Sequence, residues 1–333
     1  MADGQRTSSV GTYLIRRLAI AVLLLFGVAT ITFVLIHLAP GDPADLYLAD
    51  EMDSGARDAV LAAYGLDKPL YVQYGLWLGS LVRGDLGWSI AHRRPVAEVM
   101  RERIPYTLQI TVAAFLLHLA LGIGIGVLAA WRRGTLWDGL ASGASLVLYS
   151  IPSFWLAALL IFIFAIRLDW LPSSGIQDLV HIPLTWWEMT TDRAQHLVLP
   201  VVCLGLGSAA YTARFVRGGV LTSMAQEYVQ SARARGAKES SVVMRHALSN
   251  ALLPVIALAG LSLPFLFGGA VLVETVFAWP GMGSLSVEAV FARDYPVVMA
   301  TQLLLAAMVV AGNFAADVGL VLADPRLRGR GIV

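Results

Sequence analysis

An all-α integral membrane protein of six transmembrane helices is the fold class this sequence predicts, on three observations. Charged residues make up only 14% of the 333 positions and hydrophobic ones 57%, where a soluble domain carries about 25% charged residues. The apolar residues gather into six runs, long enough to cross a hydrocarbon layer of roughly 30 Å as helices. Arginine and lysine fall mostly in alternate connections between those runs, an asymmetry that orients a polytopic chain. The length therefore serves one membrane domain rather than two soluble ones. A net charge of +1 argues against a general nucleic-acid binder. A lone cysteine, Cys203, excludes an intrachain disulfide framework and a cysteine-based zinc cluster; it reads as a small packing residue.

The elements follow in order. Residues 1–17 form a polar tail, and the six-span domain occupies 18–323. The first span, Leu18 to Ile36, lies between Arg17 and His37. Its length and the poor cleavage context of "HLAPGDP" favour a retained helix over a signal peptide. A long loop, 39–106, follows. It opens with polar "PGDPADLYLADEMDSGARDAV", passes through "YVQYGLWLGSLVRGDLGWSI", and reaches "RPVAEVMRERIPYTLQI". Val96, Val99, Met100 and Ile104 recur there at helical spacing, which predicts an interfacial helix leading into span two. Span two begins near Thr107 and ends before Arg132, interrupted by His118. Spans three to six, Gly139 to Ile166, Leu197 to Ala213, Ala247 to Val273 and Tyr295 to Ala316, carry no charge. Residues 324–333 close the chain as a second polar tail.

Six spans put both termini on one side. That side holds Arg6, Arg16, Arg17, Arg132, Arg133, six Arg/Lys between 214 and 245, and Arg326, Arg328 and Arg330. The short loops 167–196 and 274–296 hold only Arg167, Arg193 and Arg293. The positive-inside rule places both termini in the cytoplasm. Proline recurs within the spans at Pro152, Pro200, Pro254 and Pro264; it kinks helices by removing a donor, and neighbouring helices in a membrane accommodate the kink.

Familiar reaction motifs are missing: HExxH, GxSxG, the P-loop lysine pattern and the EF-hand loop do not occur. "GIGIG" at Gly122 to Gly126 lies inside a span with no flanking strand, so it predicts close helix packing rather than nucleotide binding. His118 reads as a neutral, hydrogen-bonded packing residue, with an intramembrane functional role as the alternative. His37 and His181 sit outside or at the margin of the runs and need no special role. Asp317, near the inner end of span six, is expected to snorkel or pair with an arginine. No internal repeat and no low-complexity segment is present. In span three, Tyr149, Ser150 and Ser153 surround Pro152, a polar cluster beside a kink. Neighbouring helices satisfy such groups, or the groups line a wet cavity; the cavity is the reading adopted here.

The cytoplasmic segment 214–246 contains "EYVQSARARGAKESSVVMRHALSNALLP" up to its exit into span five. Glu227 to Arg235 favours a helix. Gly236 supplies the left-handed residue that ends it, and Ser240 or Ser241 is the expected cap of the next. Small Ser231, Ala232 and Ala234 invite close approach, while Arg233 and Arg235 offer ion-pair partners. A solvated basic loop near anionic lipid explains the charge alone; a docking lever for a cytoplasmic partner explains charge, helix and glycine together.

That segment resembles the cytoplasmic coupling segment of ABC-importer permeases, in the form used by the dipeptide/oligopeptide B-type family. The likeness extends along nearly the whole chain. It is carried in order by "FVLIHLAPGDP", "RGDLGWSI", "RPVAEVMRERIPYTLQI", "SIPSFWLAALLI", "VETVFAWPGMGSL", "ARDYPVVMA" and "ADPRLRG". The general pattern reads EAA, three residues, then Gly. Here Gly236 and Ala232 match, Gln230 and Ser231 depart as in the peptide branch, and Glu227 is the stand-in acid. The resemblance implies a type I ABC importer permease fold in a bacterial cytoplasmic membrane. It implies pairing with a second homologous permease, two ATPase subunits that bind ATP and Mg, and an extracytoplasmic substrate-binding protein or lipoprotein. ATPase coupling would fall to Glu227, Tyr228, Ser231, Ala232, Arg233, Arg235 and Gly236; the chain itself would hold no cofactor and no catalytic site. Implied cargo is di- and oligopeptides, with glutathione, nickel or oligosaccharide as alternatives. An ion-coupled secondary transporter is the rival class, and it would need a midplane site, usually acidic; the spans offer His118 and Asn313. An intramembrane enzyme would need a catalytic set that the sequence does not assemble.

Overall fold

The computed structural model describes residues 10–38, 67–178 and 185–323. The polar opening of the long loop, His181 and the C-terminal tail lie outside the described residues. Among the described residues, ten α-helices of eight residues or more carry the fold: α1 Val10–Leu38, α2 Leu70–Val82, α3 Val96–Trp131, α4 Leu136–Ser150, α5 Ser153–Leu160, α6 Trp186–Met224, α7 Glu227–Ala234, α8 Leu248–Val276, α9 Met282–Phe291 and α10 Tyr295–Ala323. A π-helical turn, Ile161–Arg167, prolongs α5, and a second, Val242–Ala247, leads into α8. Two short antiparallel strands, β1 Trp88–Ser89 and β2 Arg94–Pro95, pair Trp88 with Pro95 and Ser89 with Arg94.

Among the described residues, four helices are long and apolar enough to cross a membrane: the stretches Ile15–Leu38, Val96–Trp131, Trp186–Met224 and Tyr295–Val318. The pair Leu136–Ser150 and Ser153–Arg167 makes a fifth crossing if taken as one broken span. Helix α8 adds 29 residues over the run read as span five.

The structure departs from the sequence reading in three places. Helix α3 runs unbroken for 36 residues with Pro105 inside it, so the expected interfacial helix and span two are one rod. At 1.5 Å per residue that rod is about 54 Å long, longer than a hydrocarbon layer of roughly 30 Å. Span three is broken rather than kinked, by 107° between α4 and α5. Ile151 precedes a proline and takes extended backbone (ψ 125°), the conformation a following proline ring imposes. Finally, Ser240 and Ser241 cap nothing: they lie inside the helical turn Glu239–Ser241, whose N-cap is Lys238 without a side-chain bond.

Three clusters hold the bundle. In the centre, Ile110 and Ala114 meet Leu156, Ala157 and Leu160, Leu199, Cys203 and Leu204, and Val273 and Trp279. At one end, Val127 and Ala130 meet Val216, Val220, Val243, Ala247 and Leu248. At the other, Val96, Val99 and Met100 meet Met282, Leu285, Ala289, Val297 and Ala300. The polar contacts sort the connections in the same way. Arg217 pairs with Asp138 and Arg17 with Asp317 at the first end. Thr107 joins Glu274, Gly175 joins Phe277, and Ser89 joins Asp294 at the second. This two-ended grouping is what alternating crossings require.

The α3–α6 seam is a close helix–helix contact. A Cβ on Gly122 would stand 2.7 Å from the Thr212 side chain, and one on Gly126 would stand 2.6 Å from the Ala213 carbonyl oxygen. Gly124, on the other face, has open space. "GIGIG" is therefore a helix-packing stripe. His118, 1% exposed, shares a 2.7 Å hydrogen bond with Thr212 Oγ1 across the same seam. Cys203 is buried at 2% exposure and donates its S–H to the Ser153 carbonyl oxygen at 3.4 Å.

Candidate functional site

The segment read from sequence as a cytoplasmic lever begins where α6 ends at Met224. Helix α7 is eight residues long, about 12 Å at 1.5 Å per residue. Its C-terminus is a Schellman turn: Ala237 N–H donates to the Ala232 carbonyl at 3.2 Å and Gly236 N–H to the Arg233 carbonyl at 2.9 Å. Gly236 occupies φ +83° with nothing near its would-be Cβ, so glycine is needed there for its conformation and not for space.

The helix presents two faces. Val229 and Ala232 are buried, so Ala232 packs inward on its own chain and does not join the exposed small face expected for it. Glu227, Tyr228, Ser231, Arg233, Ala234 and Arg235 remain exposed. Two ties fix the lever. The Tyr228 hydroxyl accepts from Asn250 Nδ2 at 3.0 Å, joining α7 to the start of α8. Arg233 grips Glu239 with two hydrogen bonds, Nε to Oε2 at 3.1 Å and an Nη to Oε1 at 2.6 Å. That pairing lowers the Glu239 carboxyl below its ordinary range and commits one of the two expected docking arginines to its own chain. Arg235 has no ion pair among the described residues. Behind the lever, Asp138 is held by Arg217 through contacts of 2.7 and 2.8 Å and by Gly134 N–H at 3.0 Å.

The residues expected along a path cluster at the break in span three. Tyr149 is exposed and its ring lies 6.2 Å from that of Tyr211 on α6. Ser150 donates to the Leu146 carbonyl at 2.9 Å, Pro152 is the N-cap of α5, and Ser153 is half-buried with its carbonyl engaged by Cys203. Ser150 bonds within its own helix and Ser153 reaches α6 only through its backbone, so the four residues share a joint more than a binding pocket.

A third feature escaped the sequence reading. Glu274, in the last turn of α8, is fully buried. Its Oε1 accepts the Thr107 hydroxyl at 2.6 Å, and its Oε2 accepts the Gly283 and Ser284 amides at 2.7 and 3.1 Å. Thr107 Oγ1 in turn accepts Met282 N–H at 2.7 Å. The first three amides of α9, which have no intrahelical acceptors, are thus met from two other helices. A Cβ on Gly281 would overlap the Glu274 carboxylate, which is why "PGMG" carries glycine there. Helix α8 ends in a Schellman turn with Ala278 at φ +48°, and Trp279 N–H donates to the Glu274 carbonyl at 2.8 Å. Helix α9 ends likewise with Arg293 at φ +54°, and Asp294 N–H donates to the Ala289 carbonyl at 2.8 Å. Asp294, 1% exposed, then accepts from Ser89 Oγ and, at 3.1 Å, from Ala91 N–H. The β-hairpin, α9 and the ends of α3, α8 and α10 form one cap. The available signal was an acid bordering an apolar run, in the turn of helix that precedes a Pro-Gly pair at Pro280 and Gly281.

Fold and site define an all-α, polytopic membrane protein whose folded polar features sit at its two ends, with no cluster of metal-ligating residues among the described residues. The chain belongs to the family described as binding-protein-dependent transport system inner membrane component: that family's model matches residues 122–329, and its N-terminal companion matches 11–111. It is a permease component and not an enzyme. It is 39% identical to the oligopeptide transport system permease protein AppB of Bacillus subtilis over 319 residues, spanning 96% of this chain and 99% of that protein. It is 39% identical to the di/tripeptide transport system permease protein DppB of Pseudomonas aeruginosa, over 95% of this chain and 98% of the relative. A solved inward-facing MetNI methionine ABC transporter shares the fold, with a TM-score of 0.55 at 20% identity over 68% of this chain and 97% of that one.

Proposed function

We propose that this chain is the permease subunit of an ATP-driven ABC importer of di- and oligopeptides, in a bacterial cytoplasmic membrane. One observation carries the reading: near full-length identity of 39% to permeases of an oligopeptide and a di/tripeptide system. The chain pairs with a second homologous permease, and the two enclose the path. Two cytoplasmic ATPases bind ATP and Mg and press on α7 and its counterpart. An extracytoplasmic binding protein delivers cargo. Both termini face the cytoplasm, which puts segment 214–246 with its coupling residues Glu227, Tyr228, Ser231, Arg233, Arg235 and Gly236 on the ATPase side. Residues 39–106 and the Glu274 cap then face outward. Six crossings follow if the bent pair and α8 each count as one. ATPase closure reaches the path by moving packed helices as units.

The test is reconstitution of the chain with its partner permease, ATPases and binding protein in proteoliposomes. Vanadate-sensitive uptake of labelled tripeptide, absent when either ATPase is omitted, is the expected result. Uptake driven by an ion gradient without ATPases would refute the reading. Uptake of glutathione, nickel or an oligosaccharide in place of peptides would keep the architecture and refute the cargo.

A further inference from the structure

Between the outer ends of α3 and α6 lies a cavity of about 350 Å³, lined by Gln109, Gln177, Thr190, Asp192 and Arg193 together with apolar side chains. That size lies within the usual range for small-molecule sites, roughly 300–1,000 Å³. Two of its polar groups stand without the partners they need. Arg193 is half-buried, lies 5.6 Å from the Tyr106 ring centre, and has neither an ion pair nor a hydrogen bond among the described residues. Gln109 Oε1 is buried and accepts no hydrogen bond. Tyr106 and Gln109 stand three residues apart on α3 and share a helix face, and Arg193 and Gln109 line the same cavity. Adjacent Asp192 does not neutralise the guanidinium. One Asp192 oxygen accepts Asp178 N–H at 3.0 Å, and the other lies 3.2 Å from His196 Nδ1.

A free planar cation and an unmet acceptor call for a ligand that brings an anion and an N–H donor at one end. A guanidinium binds carboxylates as a two-pronged fork, and the last amide of a peptide precedes its carboxylate by one residue. We infer that this cavity is a receiving site for the C-terminal end of a short peptide: Arg193 binds the terminal carboxylate and Gln109 accepts the last peptide N–H. The inference rests on the peptide reading and on the outward orientation given above, and it places one recognition step in the permease itself. Tyr106 holds the guanidinium over its ring. Its own carbonyl accepts the Trp279 indole N–H at 3.0 Å, so the site is braced against the Glu274 cap.

The test uses the assembled complex in nanodiscs without binding protein, titrated with trialanine and with trialanine amide. The wild type should bind the free acid roughly ten- to hundredfold more tightly than the amide, the cost of losing one charge-assisted hydrogen bond. Arg193→Gln should erase that preference, Arg193→Lys should keep part of it, and Gln109→Leu should weaken both ligands. Equal binding of acid and amide by the wild type, an undiminished preference in Arg193→Gln, or no binding by a complex that still takes up peptide would overturn the site alone. A wild-type complex that takes up no peptide even with its binding protein would overturn the peptide reading, and the site with it. The acid-to-amide comparison in the wild type needs no variant to fold.

Discussion

Replacing Glu274 by glutamine keeps the side chain's shape and removes one acceptor from a site filled entirely by donors. The carboxylate meets the Thr107 hydroxyl and the Gly283 and Ser284 amides. Thr107 cannot turn its proton elsewhere without cost, because its oxygen already accepts Met282 N–H. The amide oxygen of glutamine can still serve the two backbone donors, but its NH2 then faces Thr107 Oγ1 and strands the hydroxyl proton. One unmet buried donor costs about 1–3 kcal/mol, and loss of the negative charge at the start of α9 adds about 0.3–2 kcal/mol. The sum is about 1.3–5 kcal/mol, acting on a ten-residue helix that leans on this cap. That converts to roughly tenfold to a few thousandfold faster opening, at 1.4 kcal/mol per factor of ten. Hydrogen exchange on the purified permease pair in nanodiscs reads it directly at the Gly283 and Ser284 amides. Thr107→Val should accelerate exchange at Met282 most, and Glu274→Ala should exceed the glutamine variant at all three amides. Unchanged exchange at Gly283 and Ser284 in Glu274→Gln would show that the carboxylate does not hold α9.

Four other outcomes follow from the same structure. Gly236→Val must place a β-branched residue at φ +83°, at a cost of about 1–2 kcal/mol. It should leave the pair assembled while transport-coupled ATPase stimulation in proteoliposomes falls; wild-type stimulation would refute the lever. Gly126→Ala should destabilise by about 1–3 kcal/mol through overpacking and lower the melting temperature, whereas Gly124→Ala should not, since nothing lies within 4 Å of its would-be Cβ. Asp138→Asn should lower the melting temperature of the pair, because it removes the charge that Arg217 grips at 2.7 and 2.8 Å; an unchanged melt would show that this tie carries no stability. Phe291, 85% exposed in the outer cap, replaced by cysteine should react with an impermeant thiol reagent on intact cells, whereas Ser240→Cys should react only after permeabilisation; buried Cys203 leaves the background silent.

Much of this was legible in sequence because membrane burial writes itself plainly. Uninterrupted apolar runs marked the crossings, "GIGIG" marked the close seam, and Gly236 marked a helix end that proved to be a left-handed turn. What was not legible depends on distance along the chain. Glu239 capturing Arg233 is a six-residue contact, hidden because a basic run invites an outside partner. Ala232 looked like a docking surface because small residues serve inward and outward approach equally well, and only burial decides between them. Thr107 and Glu274 lie 167 positions apart, so their pairing has no local pattern. A proline in an apolar run announced a kink at Pro152 but not its size. The 107° turn came from packing α5 into the central cluster while α4 stayed largely exposed.

Those details constrain how force applied at α7 can travel. Helix α7 hangs on α6 through a two-residue connection and on α8 through Tyr228 and Asn250. The α3–α6 seam has no room to shear: Gly122 and Gly126 already bring the backbones into contact, and the His118–Thr212 bond pins the register. At the far end Thr107 and Glu274 tie α3 to α8 through a buried carboxylate. Helices α3, α6 and α8 with the outer cap therefore respond to a push as one body, since packed interiors shift between discrete arrangements more readily than they bend. The compliant element is the Ile151–Pro152 joint, where a continuous ladder is already broken and the Ser150 hydroxyl bonds only within α4. Pro152→Ala should test this allocation. It restores a backbone donor at the joint, so if the joint absorbs the motion, transport should slow while α7 still binds its partner. Full transport rates with a straightened α4–α5 pair would place the compliance elsewhere.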